Sequence, residues 1–233
     1  FVREDFFMAL SDAIKKYGLA TLCTIEPEQD GKGDNTYPEP RKIWITYKSV
    51  FQSELNYLKP VIMLEIGARS LVEPYTMNKV KSLVAENFPA IQTNVVDSEI
   101  ATAVAGKTFL EKVFLLHELF SVAGHGANAN RKSRHLYDLY MMMEKDFAFA
   151  AVKDDALWET IRHHREIFTS VKGMDYTPDI RKRIVLIPRE DIITVWEKSY
   201  AEMLTNMIYG SIKPTFKQIL EKMQVLQERF KLG

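Results

Sequence analysis

Residues 107–140 read KTFLEKVFLLHELFSVAGHGANANRKSRHLYDLY, and this stretch decides the fold because two helices can be read from it, one almost wholly apolar and one mixed. At 3.6 residues per turn, Phe109, Val113, Leu116 and Phe120 fall on one face, with Leu110, Phe114 and Leu115 on the flank beside it. A helix that is apolar nearly all round is a buried helix. Lys112 shares the face of Phe109, Val113 and Leu116, so its ammonium is expected to start from the interior side. A buried charge without a partner costs several kcal/mol, so Lys112 needs an anion or a wet cleft. Asp138, on the following helix, is the nearest candidate in sequence. On the residues alone two readings stand: a structural ion pair or a snorkelling lysine, and an active-site pair.

Working outward, the C-terminal side continues in helical patterning, with segments at 107–121, 133–147, 154–170, 190–209 and 214–230, and a break from Gly173 to Pro188. The N-terminal side changes period. Phe1–Tyr17 reads as an amphipathic helix closed by Gly18, and Leu19–Ile25 as a strand. Between Ile43 and Lys48 the residues alternate as in a half-buried strand. Val61–Ile66 reads as a central strand carrying one carboxylate, Glu65. Asn78–Asn87 is expected to be a short helix, and Ile91–Val104 to hold one or two strands. The expected class is α+β, with a sheet-containing domain over 1–105 and a helical domain over 106–233.

The composition narrows the partners. The 233 residues carry 31 basic and 31 acidic side chains, so no bulk field recruits nucleic acid or an anionic membrane, and such a partner would need a local patch. At 46% hydrophobic, the chain can bury a sizeable core. A single cysteine, Cys23, excludes an internal disulfide and a cysteine-based zinc site, and suits a reducing cytoplasm. No apolar run reaches the ~18 residues of a membrane span. Tempting motifs fall short: AGKT at 105–108 lacks the first glycine of a phosphate loop, and His117–Glu118 is followed at position 121 by serine rather than a second histidine.

Three segments, VIMLEIGARSLVEPYT at 61–76, KTFLEKVFLLHE at 107–118 and SRHLYDLY at 133–140, together resemble the AbiEii/AbiGii toxin family of nucleotidyltransferases. The resemblance implies a nucleotidyltransferase-like mixed sheet followed by a helical domain. It also implies transfer of a nucleoside monophosphate from an NTP to an RNA or protein acceptor with Mg²⁺, in a toxin paired with an antitoxin. It makes Lys112, Asp138 and Glu65 the catalytic candidates, Glu65 the metal ligand, and Arg134 and Arg69 the phosphate-binding candidates. Family members begin with a GGT/GGS turn and a DxD pair, and neither occurs in this chain. The chain is therefore expected to be the C-terminal part of a family member and inactive alone. The alternative is a non-catalytic module that binds an antitoxin or another macromolecule.

Overall fold

The computed structural model describes residues 2–28, 42–49, 59–67, 73–88, 90 and 98–232. The fold is α+β, in two compact units, Phe1–Ser70 and Leu71–Gly233. The 105/106 boundary expected from composition falls inside the second unit, at the start of its first long helix.

In the first unit a π-helical turn, Val2–Phe6, runs into α1 (Phe7–Lys16). Gly18 closes the helix at φ 72°, a left-handed conformation that glycine enters without steric cost. The expected strand from Leu19 starts late. A 3-10 turn takes Leu19–Thr21, and β1 spans Cys23–Pro27. It pairs antiparallel with β2 (Lys42–Tyr47), which pairs antiparallel with β3 (Val61–Glu65). Among the described residues β2 is therefore the middle strand, with Ile43 fully buried, and β3 stands at one end of the order, where the sequence reading expects 61–66 to be central. Ile62 and Met63 are consequently exposed. Where a mixed sheet is implied by the resemblance, the pairings among the described residues are all antiparallel.

The second unit opens with a hairpin, β4 (Tyr75–Val80) against β5 (Ser98–Ala103). Residues 78–80 are thus strand rather than helix. The helix begins only after Ser82, whose Oγ accepts the Ala85 N–H at 3.1 Å and so fixes the start of α2 (Leu83–Asn87).

Six longer helices follow: α3 (Ala105–Ser121), α4 (Arg134–Met142), α5 (Asp146–Lys153), α6 (Asp155–His164), α7 (Ile193–Met207) and α8 (Phe216–Leu232). The 133–147 segment is split, since α4 ends near Met143 and α5 starts afresh at Asp146. A π-helical turn, Arg165–Thr169, extends α6. AGKT lies in the first turn of α3 and its flank, not in a loop.

α3 is the axis of the core. Phe109, Leu110, Val113, Phe114, Leu116 and Phe120 are all shut away from solvent, as the periodicity requires. Phe114 meets Trp158 of α6 with ring centroids 4.5 Å apart, Trp158 meets Phe230 of α8 at 5.4 Å, and Phe120 meets Trp196 of α7 edge-on at 4.6 Å. Ile219, Met223, Leu226 and Phe230, at three- and four-residue spacing, bring α8 onto the same core. Thr215 and Gln218 cap α8 reciprocally: the Gln218 N–H donates to Thr215 Oγ1 at 3.2 Å, and the Thr215 N–H to Gln218 Oε1 at 2.8 Å. At the far end of α3, Arg189 donates to the carbonyls of Phe120 at 2.9 Å and Val122 at 3.2 Å, satisfying groups a helix terminus leaves open. Met143 fills the core, as the three-methionine run suggests for such flexible side chains.

Candidate functional site

Lys112 sits at the border of the buried face of α3 rather than within it. It lies on the half-buried stripe of Thr108, Glu111 and Leu115, and its side chain keeps 22% of its exposure. The helix can therefore be apolar on its core side and still present an ammonium at the surface of the bundle. α4 packs against α3 and supplies the partner: Lys112 Nζ donates to Asp138 Oδ2 at 2.7 Å. That is the length of a charge-assisted hydrogen bond.

A third side chain, which sequence reasoning missed, completes the group. His135 lies one turn before Asp138 on α4, and its Nδ1 stands 3.4 Å from Lys112 Nζ and 3.8 Å from Asp138 Oδ2. The i, i+3 spacing of His135 and Asp138 was the available signal. Burial by itself would raise the Asp138 pKa. The contacts with His135 and Lys112, and their charges, outweigh burial and hold the carboxyl below the ordinary carboxylate range. Asp138 thus remains an anion at neutral pH.

The loop that joins the two helices is held in place rather than draped over the surface. Trp196 Nε1 donates to the Gly126 carbonyl at 2.8 Å, and Ser199 Oγ donates to the Ala129 carbonyl at 2.8 Å while lying 3.0 Å from the buried Ser133 Oγ. Within this pinned loop Arg131 adopts φ 58°, uncommon for a residue with a side chain. Arg131 and Lys132 precede α4, and Arg134 is its first residue. Arg134 is exposed, and the Asp138 carboxylate takes Lys112 and His135 as partners in preference to the arginine four residues before it.

The remaining sequence candidates are Glu65 and Arg69. Glu65 ends β3 in the first unit, exposed, directly across the ladder from Lys42. Arg69 lies outside the described residues. Among the described residues, no three His, Cys, Asp or Glu side chains are grouped as a metal cage. Mg²⁺ commonly takes one or two protein carboxylates, the rest of its shell being phosphate oxygens and water.

His117 and Glu118, the apparent opening of a zinc-binding helix, serve α3 structurally. His117 Nδ1 accepts the Val185 N–H at 3.0 Å and lies 2.8 Å from Ser121 Oγ. Burial, helped by the charge of Arg183, lowers its pKa to about 4, so it is neutral at pH 7. Glu118, nearly wholly buried, accepts from Arg165 Nε at 2.7 Å, from Arg165 Nη2 and from the Tyr176 hydroxyl at 2.7 Å. This network fixes the orientation of α3, and with it the direction in which Lys112 projects.

With this geometry in view, comparison with known proteins identifies the chain. The family model of the nucleotidyl transferase AbiEii toxin, type IV TA system, matches residues 3–222. The chain belongs to that family. No curated protein matches it at a significant level, and no solved structure does so.

Proposed function

We propose that this member of the AbiEii toxin family contributes Lys112 and Asp138 to a nucleotidyl-transfer site. The reaction would move a nucleoside monophosphate from an NTP to an acceptor hydroxyl on RNA or protein, forming a bond from the acceptor oxygen to the α-phosphorus as the bond to the pyrophosphate oxygen breaks. The observation that carries the reading is the 2.7 Å contact between Lys112 and Asp138 at the edge of the core, where the ammonium keeps access to solvent. A pair wanted only for stability gains little at such a position, since exposed ion pairs contribute about 0–1 kcal/mol.

In this reading Lys112 binds a phosphate oxygen and stabilises charge as it develops during transfer. Asp138 holds the ammonium in place, and Arg134 adds a second cation at the start of α4. Glu65 and Arg69 are proposed as further contributors, to metal and phosphate respectively. Mg²⁺, when bound, would neutralise triphosphate charge and leave the α-phosphorus open to attack. An antitoxin is the proposed protein partner, and the cytoplasm the proposed compartment. Among the described residues no helix is long and apolar enough to cross a membrane.

The test is transfer of α-labelled nucleotides to RNA and protein fractions by the product of the complete reading frame, with Lys112→Ala and Asp138→Ala beside it. At least a tenfold loss of turnover in each, with cooperative unfolding kept, is the expected result. Normal turnover per folded molecule in both would remove them from the reaction. A second reading draws on the sequence itself, which contains neither a Gly-Gly dipeptide nor an Asp-x-Asp pair: the 233 residues act as a binding module for an antitoxin or other macromolecule. On that basis, no incorporation above background is expected from these residues alone with any of the four nucleotides.

A further inference from the structure

An ammonium has three N–H donors and no acceptor. In this site one donor of Lys112 is committed to Asp138 Oδ2 at 2.7 Å, and His135 Nδ1 stands 3.4 Å from the ammonium. A neutral imidazole carries its proton on one ring nitrogen and offers a lone pair on the other, and the surroundings select which. A proton on Nδ1 would face the ammonium hydrogens, and at 3.8 Å the Asp138 oxygen is too far to reward it with a hydrogen bond. A lone pair on Nδ1 meets the ammonium favourably.

We infer that His135 is a positioning residue of this site: with its proton on Nε2, it accepts from Lys112 through Nδ1. The ammonium is then held between the carboxylate on one side and the imidazole on the other, and its third hydrogen points away from both. With Asp138 alone the ammonium could rotate about its single contact. Two contacts from the same face of α4, His135 and Asp138 being one turn apart, fix its direction. The third donor is then free for one more acceptor, and Lys112 retains the exposure that an incoming phosphate oxygen requires.

The other charged groups nearby support this assignment. On α3, Glu111 is paired with Lys107 at 3.0 Å. On α8, which packs along α4, Lys222 and Arg229 reach Glu144 beyond the end of that helix. Of these side chains, Lys112 and Asp138 are the ones in contact with His135.

The use of the third donor rests on the phosphate-site reading above, whereas the tautomer does not, and the experiment separates the two. Long-range ¹H–¹⁵N correlation spectra of the chain at neutral pH should show His135 protonated on Nε2 with an unprotonated, hydrogen-bonded Nδ1. Lys112→Met, which keeps the stem and removes the donors, should shift His135 toward a mixture of tautomers. A wild-type Nδ1–H signal, or a tautomer indifferent to Lys112→Met, would overturn the inference. Inorganic tripolyphosphate then probes the direction of the ammonium by calorimetry. His135→Asn, whose Oδ1 can accept near the place of Nδ1, should bind within about threefold of wild type, and His135→Leu at least tenfold more weakly. Equal weakening in both variants would also overturn the inference. If wild type itself fails to bind tripolyphosphate while the tautomer result holds, the phosphate reading falls and the positioning of Lys112 by His135 stands.

Discussion

Glu118→Gln should be far more damaging than its near-identical shape suggests. The wild-type carboxylate is 5% exposed and accepts two hydrogen bonds from Arg165, itself 14% exposed, and one from Tyr176. Glutamine offers one acceptor oxygen for three donors and turns an amide N–H₂ toward the rest. It also leaves the Arg165 guanidinium charged in a site it cannot readily leave, because its stem belongs to the π-helical turn after α6. Breaking one partner of a buried ion pair costs about 3–5 kcal/mol. For a folded unit of this size each kcal/mol lowers Tm by about 2–4 °C, so a loss of roughly 6–20 °C is expected. Urea and thermal unfolding followed by far-ultraviolet circular dichroism measure it. The double variant Glu118→Leu/Arg165→Met, which removes both charges, should recover part of the loss, since the larger penalty lies in the orphaned arginine. A single-variant cost below about 1 kcal/mol, or a double variant no better than the single, would refute the reasoning.

Three further outcomes follow from the same core and site. Because the folded state holds His117 neutral with a pKa near 4 against an ordinary value of 6.5, the unfolded chain binds the extra proton between those values; stability should fall by about 3 kcal/mol as pH drops from 6.5 to 4, and His117→Asn should flatten the urea-midpoint profile across that window. For Asp138, whose folded pKa is depressed, the contribution of the pair is complete above the ordinary carboxylate range and is lost as pH falls through the lowered value, so its carboxyl ¹³C titration should midpoint below a model aspartate in wild type and move up in Lys112→Met. Gly126→Ala should destabilise by about 1–3 kcal/mol, since a Cβ there would stand 2.6 Å from the Leu119 carbonyl oxygen and 2.5 Å from Ile192 Cδ1, and calorimetry that found it neutral would show that the α3–α4 loop can yield.

What the sequence disclosed and what it hid divide along physical lines. The buried face of α3 was legible because apolar period depends only on local spacing, and Lys112–Asp138 because one lysine in an apolar helix demands an anion nearby. The rotation of Lys112 to the border of that face was not legible, since it depends on which neighbours cover Thr108, Glu111 and Leu115. Glu118 was read as part of an unfinished zinc motif because its partner, Arg165, lies 47 positions downstream, beyond any local pattern. His135 passed unnoticed for a related reason: its role comes from Lys112 on another helix. The end of the Tyr75–Val80 strand reads as helix because the residues after Ser82 do form one, and the capping serine marks the boundary only once its partner amide is known. Arg69 lies outside the described residues, and Glu65 belongs to the first unit whereas Lys112 and Asp138 belong to the second.

The connection between α3 and α4 carries a consequence for how the protein tolerates change. Mostly glycine, alanine and asparagine, with His125 among them, the residues from Gly124 to Asn130 suggest a spacer that could be lengthened freely, yet the carbonyls of Gly126 and Ala129 are gripped by Trp196 and Ser199 some 70 positions away. The register between the helix that bears the lysine and the one that bears the aspartate is thus imposed from a third helix. An α3–α4 hairpin cut out as a miniature would keep both residues and lose the distance between them, and a substitution at Ser199, remote from both in sequence, could reset that distance without touching either.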